Sequence, residues 1–410
     1  MPKPPSKRFV FLLTIGSFVF TYHSYKNAEW IRFLCERQRI FETSTSRSLL
    51  PNLPNGTESV EIEIDNFVLP TIVNEMDEAL PLCRQAQIRY GEWVPQELDK
   101  PPYVSRNKHL RCYPDEAYEG KPWKSWAWMP FDKKCSLTEW NAASFCNLME
   151  KVTISIMGDS LSWEQYSSLL QLLGEKVRQS DQHKSKSENR NHIQSACNAN
   201  TRFIFRNDPR LEHISDSIRS DFPLVIVLNR GAHYTNDTAL LTGIRKNIDE
   251  LHEWQNTCRR MGLRCHLYWR TTVPGHPRCT IFNETSPVND LHGMEERIQN
   301  LENYDNVTIN YHWHDFARQN DLILDELNAS GLEYNVIDGY HLNILRPDEH
   351  RSHDGDCLHN CYPGKMDVYN QLLLHFLRIE RTEYDIQSLL QKYEQAKSRA
   401  IEEKNKAKTK

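Results

Sequence analysis

The stretch Val152-Thr-Ile-Ser-Ile-Met-Gly-Asp-Ser-Leu161 joins an apolar, β-branched run to a Gly-Asp-Ser turn. A run of this composition favours a buried strand. The segment that follows, Trp163 to Leu173, carries leucines at a spacing typical of a helix. Ser160 is therefore predicted to lie at the carboxyl end of a strand, where open α/β sheets place their functional sites.

Further strands and helices are predicted to alternate along the chain. This alternation predicts an α/β fold with a doubly wound, mostly parallel sheet. Lys176 to Asn200 is polar and is predicted to be a surface loop. The other predicted strands are Leu224–Leu228, Arg264–Trp269, Val307–Tyr311 and Tyr334–Ile337, and the other predicted helices are Thr238–Met261, Met294–Leu301 and Lys365–Ile379.

The amino terminus has the features of a secretory signal. Lys3, Lys7 and Arg8 precede an apolar segment that starts at Phe9. Bulky residues from Phe20 onward stand where a cleavage site needs small ones, which favours an uncleaved signal anchor; a cleaved signal peptide is the alternative. The predicted organisation is a cytosolic tail (1–8), a signal anchor (9–25), a stem (26–80), a catalytic domain (81–380) with a Cys/Trp-rich minor lobe (81–148) and a core (149–380), and a charged helical tail (381–410).

The cysteines also point to the secretory pathway. Of the eleven, Cys35 lies just after the apolar segment, and the other ten could form five disulfides in an oxidising lumen. Zinc is the alternative for Cys357, His359 and Cys361, but this one-residue alternation suits no common structural zinc site. The chain also carries five Asn-x-Ser/Thr sequons, which are glycosylation acceptors in that compartment, at Asn55, Asn236, Asn283, Asn306 and Asn328.

The charge and the histidine pattern of the chain argue against nucleic acid and metal ions as partners. The net charge is −5 over 410 residues, and no basic stripe marks the middle of the chain, so nucleic acid is not a predicted partner. His341, His350 and His353 form a cluster that could imitate a metal site. Because no acidic residue repeats at ligand spacing, loop or substrate-facing roles are favoured, and no metal is predicted.

A second motif lies about 200 residues after the serine, as Asp356-Cys-Leu-His359. A serine hydroxyl is a poor nucleophile near neutral pH and needs a histidine to accept its proton and a carboxylate to orient that histidine. Ser160, His359 and Asp356 together predict acyl chemistry. Each motif alone is weak, since Gly-Asp-Ser arises by chance and an Asp-x-x-His pair can lie on a solvated surface.

Donors for a developing oxyanion are predicted beside the serine. The strand Leu224–Leu228 continues into Asn229-Arg-Gly-Ala-His-Tyr234. An amide side chain and a glycine N–H at the end of a strand are groups that stabilise a tetrahedral oxyanion. Asn229 and Gly231, with the backbone N–H of Ser160, are the candidates; an ordinary turn after a strand is the alternative.

Together these blocks resemble the trichome-birefringence-like polysaccharide O-acetyltransferases, or PC-esterase family, a branch of the SGNH/GDSL hydrolases. The resemblance covers about residues 83 to 378, and its closing block is the most specific. The blocks that carry it are Gly91-Glu-Trp93, Trp126-Ala-Trp128, Ile156-Met-Gly-Asp-Ser-Leu-Ser162, Asn229–Tyr234, Arg270-Thr-Thr-Val-Pro-Gly-His276 and Asp356-Cys-Leu-His-Asn-Cys-Tyr-Pro-Gly364.

The resemblance implies a sheet of SGNH-hydrolase type with a disulfide-stapled minor lobe. It assigns Ser160 as the nucleophile that accepts the acyl group, His359 as the general base and Asp356 as the group that orients it. The cysteines of the closing block are implied to be staples that hold this loop. The remaining candidates are oxyanion or substrate contacts, namely Asn229, Gly231, Arg270 and His276.

The resemblance also has departures. The family usually has arginine and asparagine where this chain has Trp163 and Glu164, and threonine where it has Arg230. The segment Asn229–Tyr234 also carries one extra residue. Donor and acceptor specificity therefore cannot be carried over from the family.

The function implied is a glycan or polysaccharide O-acetyltransferase with no bound cofactor, which needs an acetyl donor of unspecified identity. It would be a single-pass type II protein of the Golgi membrane with a lumenal catalytic domain. A carbohydrate acetyl-esterase with the same triad is one alternative. A catalytically inactive, lumenal glycan-binding protein is another, against which the joint presence of Ser160, Asp356 and His359 argues.

Overall fold

The computed structural model describes residues 80–105, 111, 118, 122–177, 191–282, 284–351 and 355–384. The predicted cytosolic tail, the signal anchor and the stem up to residue 79 lie outside these ranges, as do Cys35, Cys112 and His353. Within the described ranges, no helix has both the length and the apolar composition that crossing a membrane requires. The predicted domain boundaries stay predictions.

Ten strands are found among the described residues, and they form three sheets. In chain order they are β1 Gly91–Leu98, β2 Trp123–Pro130, β3 Thr153–Gly158, β4 Asn191–Ala196, β5 Thr201–Asn207, β6 Val225–Leu228, β7 His266–Arg270, β8 Asn335–Ile337, β9 His350–Arg351 and β10 Asp356–Asn360.

Helices connect most of these strands. They are α1 Gln85–Ile88, α2 Ala142–Leu148, α3 Ser160–Leu172, α4 Ile214–Asp221, α5 Asp237–Arg260, α6 Cys279–Phe282, α7 Leu291–Gln299, α8 Phe316–Ser330, α9 Gly339–Ile344 and α10, residues 365–384. Short 3₁₀ turns lie at Leu301–Asn303, Thr308–Tyr311, Trp313–Asp315 and Pro347–Glu349.

The largest sheet has six strands in the order β4-β5-β3-β6-β7-β8. Neighbouring strands are parallel, except that β4 pairs antiparallel with β5 at one edge. The parallel strands bring their carboxyl ends to one edge of the sheet, so the ends of β3 and β6 lie side by side there. The predicted α/β fold with a mostly parallel sheet is confirmed.

Two apolar layers cover the faces of this sheet. In β6, Val225 and Val227 pack into one apolar cluster, whereas Ile226 and Leu228 pack into the other. Successive side chains of a strand point to opposite faces, and a strand buried on both faces therefore reads as a continuous apolar run. This is why the short apolar run at Leu224–Leu228 became a central strand.

The Cys/Trp-rich region forms its own antiparallel pair, β1 with β2, and Cys83–Cys135 staples it. The buried rings of Trp93 and Trp128 meet edge to face at 5.6 Å between centroids. Both tryptophans belong to the apolar cluster that covers one face of the large sheet. The minor lobe is therefore packed onto the main core through its tryptophans.

Four disulfides join described residues: Cys83–Cys135, Cys146–Cys197, Cys258–Cys265 and Cys279–Cys357. Disulfides persist in oxidising compartments and are rare in the cytosol. Their number indicates that this chain folds in the secretory pathway.

The strand predicted at Val307–Tyr311 is wrong, because Thr308–Tyr311 is a 3₁₀ turn. The carboxylate of Asp305 accepts the N–H groups of Val307 and Thr308 at 2.9 and 2.7 Å. A local side-chain acceptor of this kind competes with strand pairing. The β-branched residues that suggested a strand are therefore held in a turn.

The loop predicted at Lys176–Asn200 is wrong in part, since its described end contains strand β4. This edge strand leaves Ile193 about half exposed, at 49% of its surface. An edge strand with a solvated face needs few apolar residues, so its polar sequence resembles that of a loop. The other predicted strands and helices are present, with ends shifted by a few residues.

We expect the Cys279–Cys357 disulfide to contribute more to stability than Cys258–Cys265. Cys279–Cys357 closes a loop of 78 residues, whereas Cys258–Cys265 closes one of 7. A disulfide lowers the conformational entropy of the unfolded chain more when its loop is longer, and this difference stabilises the folded protein by about 2 kcal/mol more for Cys279–Cys357. Denaturant unfolding of the Cys279→Ala/Cys357→Ala and Cys258→Ala/Cys265→Ala variants, without reductant, measures the difference. Equal losses would contradict the expectation.

Candidate active site

The turn between β3 and α3 presents Ser160 to solvent. Gly158 has φ +152°, and a β-carbon there would lie 2.3 Å from Ser162 Oγ and 3.1 Å from the carbonyl oxygen of Asn229. Only glycine fits this conformation and this space. Asp159 then caps α3 by accepting the N–H groups of Leu161 and Ser162 at 3.0 and 3.3 Å. Ser160 is thus the exposed first residue of a helix.

The three residues predicted to form a triad lie in one chain of hydrogen bonds. Ser160 Oγ is 2.8 Å from His359 Nε2, although 199 residues separate them. His359 Nδ1 is 2.9 Å from Asp356 Oδ2. When Nδ1 donates its hydrogen to the carboxylate, Nε2 is left to accept the hydrogen of the serine hydroxyl.

Asp356 is held as a carboxylate by several donors. Its Oδ1 accepts the backbone N–H groups of Leu358 and His359 at 3.1 and 3.0 Å, and Arg351 donates to Oδ2. Burial favours the neutral acid, but the hydrogen bond and charge of His359, with these backbone donors, outweigh it and lower the pKa of Asp356. The group that orients the histidine therefore stays ionised at neutral pH.

The electrostatics of His359 favour its protonated form. Burial opposes the charge on the ring, but the hydrogen bond to Asp356 and the negative charges of Glu164 and Asp356 raise the pKa of His359 above its ordinary value. A higher pKa makes the imidazole a stronger base.

The loop that carries Asp356 and His359 is tied to neighbouring segments. Cys357 is bonded to Cys279, and its carbonyl oxygen accepts the N–H of His276 at 2.9 Å. Since its sulfur is used in this bond, Cys357 is not a thiolate ligand for zinc. The implied role of Cys357 as a staple fits this geometry.

The predicted oxyanion residues lie at the same edge of the sheet. Asn229 directly follows β6, and its N–H donates to the carbonyl oxygen of Met157 in β3 at 3.1 Å. Its side-chain amide donates to the Arg270 carbonyl at 2.9 Å and to Thr272 Oγ1 at 3.2 Å. Both amide hydrogens are thus used within the protein. The oxyanion role of Asn229 stays a prediction.

Gly231 approaches the end of β7 closely. Its φ is +156°, and a β-carbon would lie 2.3 Å from Thr272 Oγ1. Its backbone N–H stays a candidate oxyanion donor, and only glycine allows this approach.

Arg270 and His276 were predicted to contact substrate, but both side chains are buried. Arg270 donates to Ser162 Oγ at 2.8 Å and lies 3.7 Å from Asp159, under the serine turn. His276 bonds His350 Nε2 through its Nδ1 and the Ile344 carbonyl through its Nε2, at 2.9 Å. Because burial keeps them from solvent, we interpret both as supports of the site.

Two members of the predicted histidine cluster, His341 and His350, have different surroundings. His350 is buried, and its Nδ1 lies 3.3 Å from the carbonyl oxygen of His359. Burial, with the positive charge of Lys365, lowers the pKa values of His276 and His350 and so disfavours protonation of either ring. His341 pairs instead with Asp338 at 2.8 Å.

Sequence reasoning noted Glu164 only as a departure from the family pattern. In the structure Glu164 is buried, and its carboxylate accepts hydrogen bonds from Asn360, the residue after His359. The sequence did carry a signal for this role: Glu164 is an acidic residue four positions after Ser160, on a helix whose other residues are mostly buried. Trp163 is half-buried and packs against His192 and Phe205.

One group of described residues has the composition of a metal site. Ligand atoms of His312, His314 and Asp315 lie within 4.8 Å of one another. Asp315 is also bonded by Arg318 at 2.6 Å, and this cation competes with a metal for the carboxylate. The ion pair with Arg318 is the simpler account of Asp315.

We expect Gly158→Ala to remove the reactivity of Ser160 and to destabilise the fold by about 1–3 kcal/mol, because the methyl group meets Ser162 in a strained conformation. Gly174→Ala is the matched control, since Gly174 also has positive φ (+79°) but has open space around it. Labelling by a fluorophosphonate probe measures serine reactivity. Full labelling of Gly158→Ala would contradict the expectation.

Comparison with known proteins bears on this geometry. Residues 213–376 match the PC-Esterase model, which describes a GDSL/SGNH-like acyl-esterase family found in Pmr5 and Cas1p. The matched span contains Asp356 and His359 and begins after Ser160.

Two relatives extend the likeness over more of the chain. A protein named xyloglucan O-acetyltransferase 4 from Populus trichocarpa is 24% identical over 313 residues, which are 62% of this chain and 71% of the relative. Protein trichome birefringence-like 19 from Arabidopsis thaliana is 22% identical over 420 residues, 85% of this chain and 95% of the relative. The serine turn, the Asp-His loop and these matches agree on one likeness: residues 213–376 match the PC-Esterase family of GDSL/SGNH-like acyl-esterases, and the chain as a whole is similar to the plant xyloglucan O-acetyltransferase and the trichome birefringence-like protein.

Proposed function

We propose that this protein moves an acetyl group to a hydroxyl group of a glycan through an acyl intermediate on Ser160. The observation that carries the proposal is the 2.8 Å contact between Ser160 Oγ and His359 Nε2, with Asp356 behind the imidazole. The name of the Populus relative, a xyloglucan O-acetyltransferase, supports a polysaccharide acceptor.

The first half of the reaction loads the serine. His359 Nε2 takes the hydroxyl proton while Ser160 Oγ bonds to the acetyl carbon of the donor, and a tetrahedral oxyanion forms. The backbone N–H of Ser160 lies in the first turn of α3, where N–H groups have no intrahelical acceptor and the helix dipole is positive. This N–H and that of Gly231 stabilise the oxyanion. The bond to the donor's leaving group then breaks, and the leaving group takes the proton from His359.

The second half of the reaction transfers the acetyl group from Ser160 to the sugar. A sugar hydroxyl gives its proton to His359 Nε2 and attacks the acetyl carbon. The bond to Ser160 Oγ breaks, and the serine recovers its proton from the imidazolium. The carboxylate of Asp356 stabilises that imidazolium in both halves, since its pKa is held low.

An acetyl-esterase shares the first half and uses water in the second. The exposure of Ser160 favours this second candidate, because solvent reaches the acyl-enzyme directly. The two candidates differ only in which hydroxyl attacks.

The proposed location is the lumen of the Golgi, behind a signal anchor at 9–25. The disulfides support a secretory compartment. Three of the predicted glycosylation sites, Asn236, Asn306 and Asn328, are exposed, as an acceptor must be. The anchor lies outside the described residues and stays part of the proposal.

We expect Ser160→Ala and His359→Ala each to abolish acetyl transfer, and the double variant to be little worse than either, because triad members act as a unit. The full-length protein is offered p-nitrophenyl acetate with and without a panel of oligosaccharides, and products are resolved by mass. Acetyl on a sugar only with the parent protein supports transfer, and free acetate alone supports the esterase. Equal activity of Ser160→Ala and the parent would overturn both.

We expect Asp356→Asn to lower kcat by roughly 10³–10⁴-fold, since the amide no longer enforces the tautomer of His359. Asp356 raises the pKa of His359, and the enzyme needs the unprotonated ring. Activity is therefore lost as pH falls through that pKa, and removal of the carboxylate moves this acid limb to lower pH. The pH profile of kcat/KM measures the shift; a limb that stays in place would show that Asp356 does not act on His359.

A further inference from the structure

Glu164 is a buried carboxylate on the helix that carries the serine. It lies one turn after Ser160 in α3 and is 3% exposed. Its oxygens accept the backbone N–H of Asn360 at 3.2 and 3.3 Å and the side-chain amide of Asn360 at 2.7 Å. The donors are neutral, so no ion pair forms at this contact.

Burial of a carboxylate is costly. The desolvation penalty for an ion in a protein interior is several kcal/mol, and neutral donors recover only part of it. Burial accordingly raises the pKa of Glu164, against the lowering effects of the charge of His359 and the donors of Asn360. A carboxylate kept in such a place is a candidate for a role in the site.

The geometry shows what Glu164 connects. Asn360 is the residue after His359, and the peptide group between them is held at both polar ends. His350 lies against its carbonyl oxygen at 3.3 Å, and Glu164 accepts its N–H. Tyr362 adds a second tie, since its hydroxyl donates to the backbone carbonyl of Glu164 at 2.7 Å.

We propose that Glu164 is a positioning residue that ties the helix of the nucleophile to the loop of the general base, and that its negative charge stabilises the imidazolium of His359. The Ser160–His359 contact joins segments that are 199 residues apart. The Glu164–Asn360 clamp is a second link between the same two segments, one helical turn from the reacting atoms. This inference rests on the proposed function, because it concerns the same reaction.

Several charged or titratable groups face Glu164, and they set its electrostatic effect. His359 and Arg351 favour its ionised form, and Glu164 in turn raises the pKa of His359. From the other elements packed around it, the groups that feel its charge are Arg270 of β7, Tyr362, and Lys365 and Tyr369 of α10. Loss of the negative charge therefore lowers the pKa of His359.

The test compares Glu164→Gln with Asp221→Asn in the full-length protein. The carboxylate of Asp221 is also little exposed, but its partners are Arg202 and Arg206 of β5 rather than the loop that carries His359. Three quantities are measured: the melting temperature, the pH profile of p-nitrophenyl acetate turnover, and the titration of His359 by NMR of ¹³C-labelled histidine, assigned with His359→Gln.

We expect Glu164→Gln to lower kcat by roughly tenfold or more with little change in KM, and to move both the acid limb and the NMR titration of His359 to lower pH. Asp221→Asn should leave both at the parent positions, even if its melting temperature falls. A Glu164→Gln variant that loses only melting temperature would overturn the inference, because a purely structural residue does not move the titration of His359.

A second variant separates position from charge. Asn360→Ala removes the 2.7 Å contact and keeps the carboxylate, so kcat should fall while the pKa of His359 stays raised. If Glu164→Gln does not fold, an unchanged kcat in Asn360→Ala overturns the inference. If the parent protein shows no turnover that depends on Ser160, the proposed function fails, and the titration of His359 alone then decides the role of Glu164.

Discussion

The proposed chemistry depends on one hydrogen bond between residues that are 199 positions apart, from Ser160 to His359 at 2.8 Å. Small displacements of a catalytic group can cost about 100-fold in rate, so both segments need to be rigid. The sheet supplies the first, because β3 is central and Gly158 allows the tight turn into α3. The second is a loop, and loops are rigid only where other groups hold them.

That loop is held by covalent, polar and ionic contacts together. The Cys279–Cys357 bond and the hydrogen bond from His276 fix its start. Behind it lies a buried charge network, in which Arg346 pairs with Asp348 and Glu349 at 2.9 Å. Buried ion pairs add little net stability over apolar packing, but they impose one geometry where they are fully bonded. Such a network suits a segment whose function depends on position.

The same reasoning applies to two predicted residues that lie beneath the site. Arg270 and His276 belong to the motifs that identify the family, yet both are buried under the site. Motif residues that are recognised from sequence include those that build a site as well as those that touch substrate. Glu164 is the opposite case, because it departs from the family pattern and still contacts the loop that carries His359.

The sequence by itself determined the strand and turn that carry Ser160, the Asp-His motif, the alternation of strands and helices and the family resemblance, because each is encoded in local composition and spacing. It did not determine β4, whose polar residues resemble a loop, or the turn at Thr308–Tyr311, where the side chain of Asp305 competes with strand pairing. The disulfide partners, the burial of Arg270 and the clamp between Glu164 and Asn360 were decided only by the tertiary structure. These contacts join residues far apart in the chain, and local patterns carry no information on which distant segments pack together.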